Sequence, residues 1–274
     1  MRKRAIVSML RIGFEDLPQA ARRAVEIRTG HIKAARTAGG GINSGAAALL
    51  DTERGRVFVK GIPSDHAQAV SQAREIAIAP YLPASSPRLL WHVEAGGWVI
   101  LGYEAIAGRH ADYTDSGDLV LVLDVLQELQ QVIAPDLMEV KRAERRWAGY
   151  ADEGTADLLA GRTLLHTDFA PHNVLIDGRA HIIDWAWPTV GAAFIDPHVL
   201  ALRLMEAGHS AADAVNWAQR VPSWREASPS AVLAFSTAVA RSWREIAEED
   251  PQPWKVAMAG YAAELKAYLL AGQR

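Results

Sequence analysis

The stretch from Leu164 to Trp185, LLHTDFAPHNVLIDGRAHIIDW, constrains the fold of this chain more than any other. Two short apolar runs, Asn173–Ile176 and His181–Ile183, flank the dipeptide Asp177-Gly178. An Asp-Gly pair between apolar runs predicts a tight β-hairpin, because the glycine accepts the positive φ that such a turn demands. A polar loop precedes the hairpin and a carboxylate follows it. The polar residues stand in the order His166-x-Asp168-x4-Asn173-x10-Asp184. A single Asp or Asn in a loop is usually a turn cap. Ordered along one hairpin, they supply a carboxylate to orient a hydroxyl, and an amide plus a second carboxylate to hold a hard cation on phosphates. Phosphoryl transfer needs that set.

Composition narrows the alternatives. The 274 residues suffice for one large domain or two lobes. A net charge of −3 lacks the basic excess of a nucleic-acid binder, so no nucleic-acid partner is expected. The absence of cysteine excludes disulfides, thiolate metal sites and cysteine nucleophiles. The start, MRKRAIVSML, is too short for a signal-peptide core, and no run approaches the roughly 20 apolar residues of a membrane span. A cytoplasmic protein with no membrane partner is the expectation.

Along the chain, no internal repeat and no low-complexity linker stands out. Helical spacing is expected over Phe14–Ile27, with Pro18 near its first turn. The segment after Ala34 reads as strand, Gly-rich turn, strand, the tight turn Glu53–Arg56, and strand Val57–Ile62. A helix capped by Ser64 is expected to run to about Ala79, followed by strands Leu89–Glu94 and Trp98–Glu104. From Asp118, apolar residues recur at helical spacing through Leu129 and Ile133. Further helices are predicted near 139–150, 155–160, 196–207, 210–220, 229–247 and 253–271.

The His166–Asp184 segment resembles the catalytic loop and metal-binding hairpin of the protein-kinase-like fold, and among these the aminoglycoside phosphotransferase and choline kinase branch. That branch usually reads His-Gly-Asp where this chain reads His166-Thr167-Asp168. The resemblance implies a bilobal α+β fold, with a small β-rich N-lobe over 1–103 and a larger, mostly helical C-lobe over 104–274. It implies that Asp168 orients the acceptor hydroxyl, that Asn173 and Asp184 ligate Mg2+, and that His166 holds the loop. Asp196, twelve residues after Asp184, is expected to cap a helix and brace that loop. Thr167 stands where protein kinases carry an arginine, and no long activation segment follows Asp184, so a small hydroxylated substrate is favoured over a protein.

Lys60 lies inside the apolar strand VFVKGI, where an ammonium is costly without a partner. By the resemblance it meets the phosphates of ATP (or GTP) and an acid on the next helix, for which Glu75 is the candidate. An edge-strand lysine snorkelling to water is the competing reading. Gly39, Gly40 and Gly41, with Asn43 and Ser44, fall between the first two strands, where glycines permit close approach of backbone to phosphate. Their order matches neither a dinucleotide fingerprint nor a Walker A motif. Gly102, Tyr103 and Glu104 fall at the segment that pairs with the base in the family.

A zinc site at His166, His172 and His181 lacks a ligand pattern. For the acceptor, six tryptophans after Asp184 (185, 187, 217, 224, 243 and 254) suit a cation or a ring, and acids such as Glu206 and Asp250 suit amines. Core packing and solvated helix ends are the usual explanation of both, except at Trp185 and Trp187, which adjoin Asp184. Two classes remain: an ATP-dependent O-phosphotransferase acting on an aminoglycoside, another antibiotic or a metabolite, and a non-catalytic nucleotide-binding module. Such a module normally lacks one of Lys60, Asp168 or the metal ligands, all of which are present. Oligomeric state is not written in the sequence.

Overall fold

A face of alternating small and branched residues builds the first half of the molecule. In the computed structural model, which describes residues 10–39 and 44–272, strands β1 (Ile32–Thr37), β2 (Ala46–Thr52), β3 (Gly55–Pro63), β4 (Leu89–Ala95) and β5 (Trp98–Glu104) form one sheet in the order β1-β2-β3-β5-β4. Every neighbouring pair is antiparallel. Alternation puts Ala46, Ala48 and Leu50 of β2, and Val57 and Val59 of β3, on one face. There they meet Ala21 and Val25 of helix α1 (Gln19–Thr29), one turn apart, together with Phe14 and Leu17. The helix starts after Pro18, not at Phe14: Phe14–Asp16 is a separate single turn, and Pro18 is the N-cap. Helix α2 (Ala69–Ile78) also begins later than expected. Ser64 is no cap, because its N–H is drawn to the Gly97 carbonyl at 2.8 Å and the chain turns through His66 before the helix starts.

The second half is mostly helical. Strand β6 (Arg109–His110) leads to α3 (Ser116–Leu129), capped by the Asp115 carboxylate. The helix stops at Leu129, and Ile133 lies beyond it at 65% exposure. Where a helix was expected over 139–150 there is only β7 (Lys141–Arg142) and the single turn α4 (Ala143–Arg146). Next come β8 (Thr163–Leu165), β9 (Val174–Ile176), β10 (Ala180–Ile182) and β11 (Thr189–Gly191). The β9–β10 hairpin pairs Ile176 with Ala180 across the three residues Asp177-Gly178-Arg179, with Gly178 at φ 100°. Helices α5 (Ile195–Glu206), α6 (Ala211–Ala218), α7 (Pro222–Glu226), α8 (Pro229–Glu249) and α9 (Pro253–Ala271) complete the chain. The Ser210 and Ser228 side chains cap α6 and α8.

The molecule divides into two units. One holds the described residues up to Ala79 together with Ser86–Ala107; the other holds Pro80–Ser85 and the chain from Gly108. The short excursion belongs to the second unit because the Ser85 carbonyl accepts from Ile182 N–H at 3.0 Å. Among the described residues, no helix is long and apolar enough to cross a membrane.

Candidate active site

In the first unit, strand register decides which side chains meet. β3 pairs with β5 so that Phe58 faces Tyr103 and Lys60 faces Leu101. Lys60 and Tyr103 therefore share the sheet face opposite α1. Glu75 of α2 reaches the same point. Lys60 Nζ lies 2.6 Å from Glu75 Oε1, and the Tyr103 hydroxyl donates to Glu75 Oε2 at 2.7 Å. The two side chains of the ion pair are 10% and 3% exposed. Removing one partner from such a pair strands the other charge. The snorkelling alternative does not hold, since Lys60 is buried.

The remaining nucleotide candidates fare differently. Gly102 lies under Trp91, and a Cβ there would meet the indole at 2.3 Å, so packing alone demands glycine. Tyr103 spends its hydroxyl on Glu75, while Glu104 pairs with Arg88 at 3.3 Å on the surface. Gly39 is exposed with open space around it, and Ser44 is half-buried. Gly40, Gly41 and Asn43 lie outside the described residues.

In the second unit the loop His166–Asn173 is fastened from several sides. The fully buried Asp196 carboxylate, in the first turn of α5, accepts from His166 N–H and Thr167 N–H, both at 2.8 Å. It is not the helix cap; Phe194 holds that position. Burial pushes its carboxyl up to about 6, against the pull of the His166 and Thr167 amides. The His166 ring accepts from Asp168 N–H at its Nδ1 (3.3 Å) and lies 3.0 Å from the Ile183 carbonyl at Nε2. The tautomer with hydrogen on Nε2 satisfies both contacts. Trp185 and Phe169 close on that ring edge-on at 4.8 and 5.7 Å. The buried Tyr113 hydroxyl donates to the Phe169 carbonyl at 2.7 Å.

The hairpin then sets the candidate ligands. Asn173 Nδ2 donates to the Asp168 carbonyl at 3.1 Å, while its Oδ1 accepts no hydrogen bond from any described residue and can serve as a metal ligand. Ile183 N–H donates to the Asn173 carbonyl at 3.0 Å, so Asp184 follows directly on the strand tied to Asn173. Asp184 has φ 66°, a left-handed conformation uncommon for a non-glycine residue. An amide oxygen and a carboxylate are hard donors, and they fit magnesium better than a softer metal. His181 bonds Asp177 at 2.8 Å, and no group of three or more metal-ligating side chains occurs among the described residues, which removes the zinc reading.

Sequence reasoning missed two arginines. Arg203 of α5 contacts Asp168 Oδ1 through Nη2 and Glu206 Oε2 through Nη1, each at 2.8 Å. It lies seven residues after Asp196 on the same helix, two turns along one face, a spacing that could have flagged it. Arg146 Nη1 donates to Thr167 Oγ1 at 2.7 Å and Thr189 Oγ1 at 2.9 Å; nothing in the run KRAERRW singles it out.

Of the tryptophans proposed for the acceptor, Trp224 is core, stacked on His198 at 6.0 Å, and Trp217 carries Arg220. Trp243 and Trp254 meet edge-on at 6.0 Å, and Trp187 is 37% exposed with Lys141 Nζ 3.9 Å from its ring centre. Several of the acids are already paired within the chain: Asp152 with Arg241, Glu206 with Arg203 and Asp250 with Lys255.

The sequence matches no protein-family model and no curated protein. The structure does match solved ones. An aminoglycoside phosphotransferase, APH(4)-Ia, solved as a thermostable mutant with ADP and hygromycin B, superposes with a TM-score of 0.62 at 14% identity, covering 91% of this chain and 98% of that one. The choline kinase LicA from Streptococcus pneumoniae gives 0.60 at 14% identity, covering 90% and 98%. LicA with AMP gives 0.60 at 16% identity, covering 87% and 93%. The fold is thus the protein-kinase-like α+β fold, with a β-rich N-terminal sheet and a helical C-terminal part.

Proposed function

We propose that the protein is an ATP-dependent small-molecule O-phosphotransferase. The observation that carries the reading is the fastened loop and hairpin, which presents Asp168, Asn173 and Asp184 from one supported segment. The likeness of the fold to phosphotransferases solved with ADP or AMP supports it. So does the buried Lys60–Glu75 pair, suited to meeting nucleotide phosphates.

In this reading Lys60, steadied by Glu75, binds the phosphates, with ATP or GTP as donor. Asn173 and Asp184 would hold Mg2+, which neutralises charge building on the phosphates when bound. Asp168 orients the acceptor hydroxyl and takes up its proton as the oxygen–phosphorus bond forms. The bond between the β,γ-bridging oxygen and the γ-phosphorus breaks, and the nucleoside diphosphate leaves. The acceptor is an aminoglycoside, another hydroxylated antibiotic or a small metabolite.

The test is ADP release from Mg-ATP across aminoglycosides, other hydroxylated antibiotics, choline, ethanolamine, homoserine and simple sugars. The Asp168→Ala protein runs beside the wild type. Acceptor-dependent release that the variant loses is the expected result. Equal release by both proteins with every acceptor would refute the reading.

A further inference from the structure

The Arg203 contact falls on the residue assigned to the acceptor hydroxyl, and it divides that carboxylate in two. Oδ1 is taken by the guanidinium at 2.8 Å, while Oδ2 accepts no hydrogen bond from any described residue. Exposure is equally lopsided. The arginine side chain is 13% exposed and the aspartate 37%, so the charge that holds lies inside and the carboxylate held faces out. An ion pair with one partner this exposed contributes little to stability, so stability alone does not account for it.

The guanidinium is itself anchored. Its Nη1 bonds Glu206 on the next turn of α5 at 2.8 Å and touches Met258 Sδ of α9 at 3.8 Å. α5 therefore grips the loop twice: Asp196 holds the backbone at His166 and Thr167, and Arg203, two turns later, holds the side chain of Asp168. Arginine suits this task better than lysine, because its planar fork can serve two carboxylates in fixed directions.

We propose that Arg203 is a positioning residue for phosphoryl transfer, fixing the Asp168 carboxylate so that Oδ2 alone receives the acceptor hydroxyl. The proposal rests on the phosphotransferase reading above. Misplacing a reacting group by about 1 Å can lower a rate about 100-fold, so losing this hold should lower turnover and leave nucleotide binding alone.

The experiment uses ADP release from Mg-ATP with water as acceptor, which requires no identified substrate. Wild type, Asp168→Ala, Arg203→Met, Arg203→Lys and Arg203→Ala with added guanidinium are compared, and Mg-ATP affinity is measured for each as a check on folding. The expected result is an Asp168-dependent rate that falls about 10- to 100-fold in Arg203→Met at near wild-type Mg-ATP affinity. Arg203→Lys should recover part of it, and guanidinium should partly rescue Arg203→Ala. An Arg203→Met protein with the wild-type rate would overturn the positioning role. A faster one would show the guanidinium masking Asp168, and would overturn it too. A wild type no faster than Asp168→Ala with water and with every acceptor of the panel above would strike the phosphotransferase reading itself, and this proposal with it.

Discussion

Thr167 occupies a backbone conformation that β-branched residues avoid, with φ 66°. Such a residue persists where its surroundings over-determine it, at a cost of order 1–3 kcal/mol. Here the amide is held by Asp196 and the hydroxyl by Arg146. Thr167→Val keeps the strain and discards the hydroxyl, so urea denaturation should show a loss of about 1–3 kcal/mol. Thr167→Gly relieves the strain as it gives up the same bond, and should lie closer to wild type. Equal losses would mean that backbone strain plays no part. At Tyr103, replacement by Phe removes the donor to a buried charged carboxylate, and a loss of about 1.5–3 kcal/mol is expected in the same assay. That Lys60 needs a partner could be read from its charge inside an apolar strand, and the resemblance pointed to Glu75 on the following helix. The Tyr103 hydroxyl could not, because its partner depends on strand register; helix spacing could flag Arg203, but its contact with Asp168 depends on where α5 lies against the loop.

At the scale of elements, α5 concentrates the electrostatics. Its Asp196 carboxyl is raised by burial to about 6, from 3.8 when unfolded. At this group the folded state then binds more protons than the unfolded state between about pH 4 and 6. The contribution of this group is full below about pH 4 and is lost as pH rises through about 6. His198, two residues on, has the opposite sign. Burial lowers it to about 3 from 6.5, and its ring nitrogens find no hydrogen-bond partner among the described residues, so its contribution is present above pH 6.5 and falls away toward pH 3. Comparing wild type with Asp196→Asn isolates the first effect: the stability difference should favour wild type more at pH 4.5 than at pH 7. A difference independent of pH would contradict the burial argument. The long helix α8 was legible from its period and its Ser228 cap, and α9 from its length, its opening Pro253 and the spacing of Met258, Ala262 and Leu265. The two- and three-residue strands β6, β7, β8 and β11 were not, since so short a run carries no period, and apolar residues near 139–150 imitated a helix.

For the molecule as a whole, the α+β fold was legible because one ordered motif resembles the catalytic loop and hairpin of the protein-kinase-like fold, and that resemblance implies the rest. The acceptor was not, because tryptophans and acids on helices serve packing and ion pairs as readily as binding. The fold persists at 14–16% identity to the solved phosphotransferases, so what distinguishes this chain lies in its side chains. The proposed function divides labour within the second unit: Asp168 serves the acceptor, and Asp184 the metal-bound nucleotide. Calorimetric titration of Mg-ATP into wild type, Asp168→Asn and Asp184→Ala tests that division most directly. The account predicts wild-type affinity in Asp168→Asn and an affinity at least about tenfold weaker in Asp184→Ala, the scale of one lost charge-assisted contact. Unchanged affinity in Asp184→Ala, or lost binding in a folded Asp168→Asn, would contradict it.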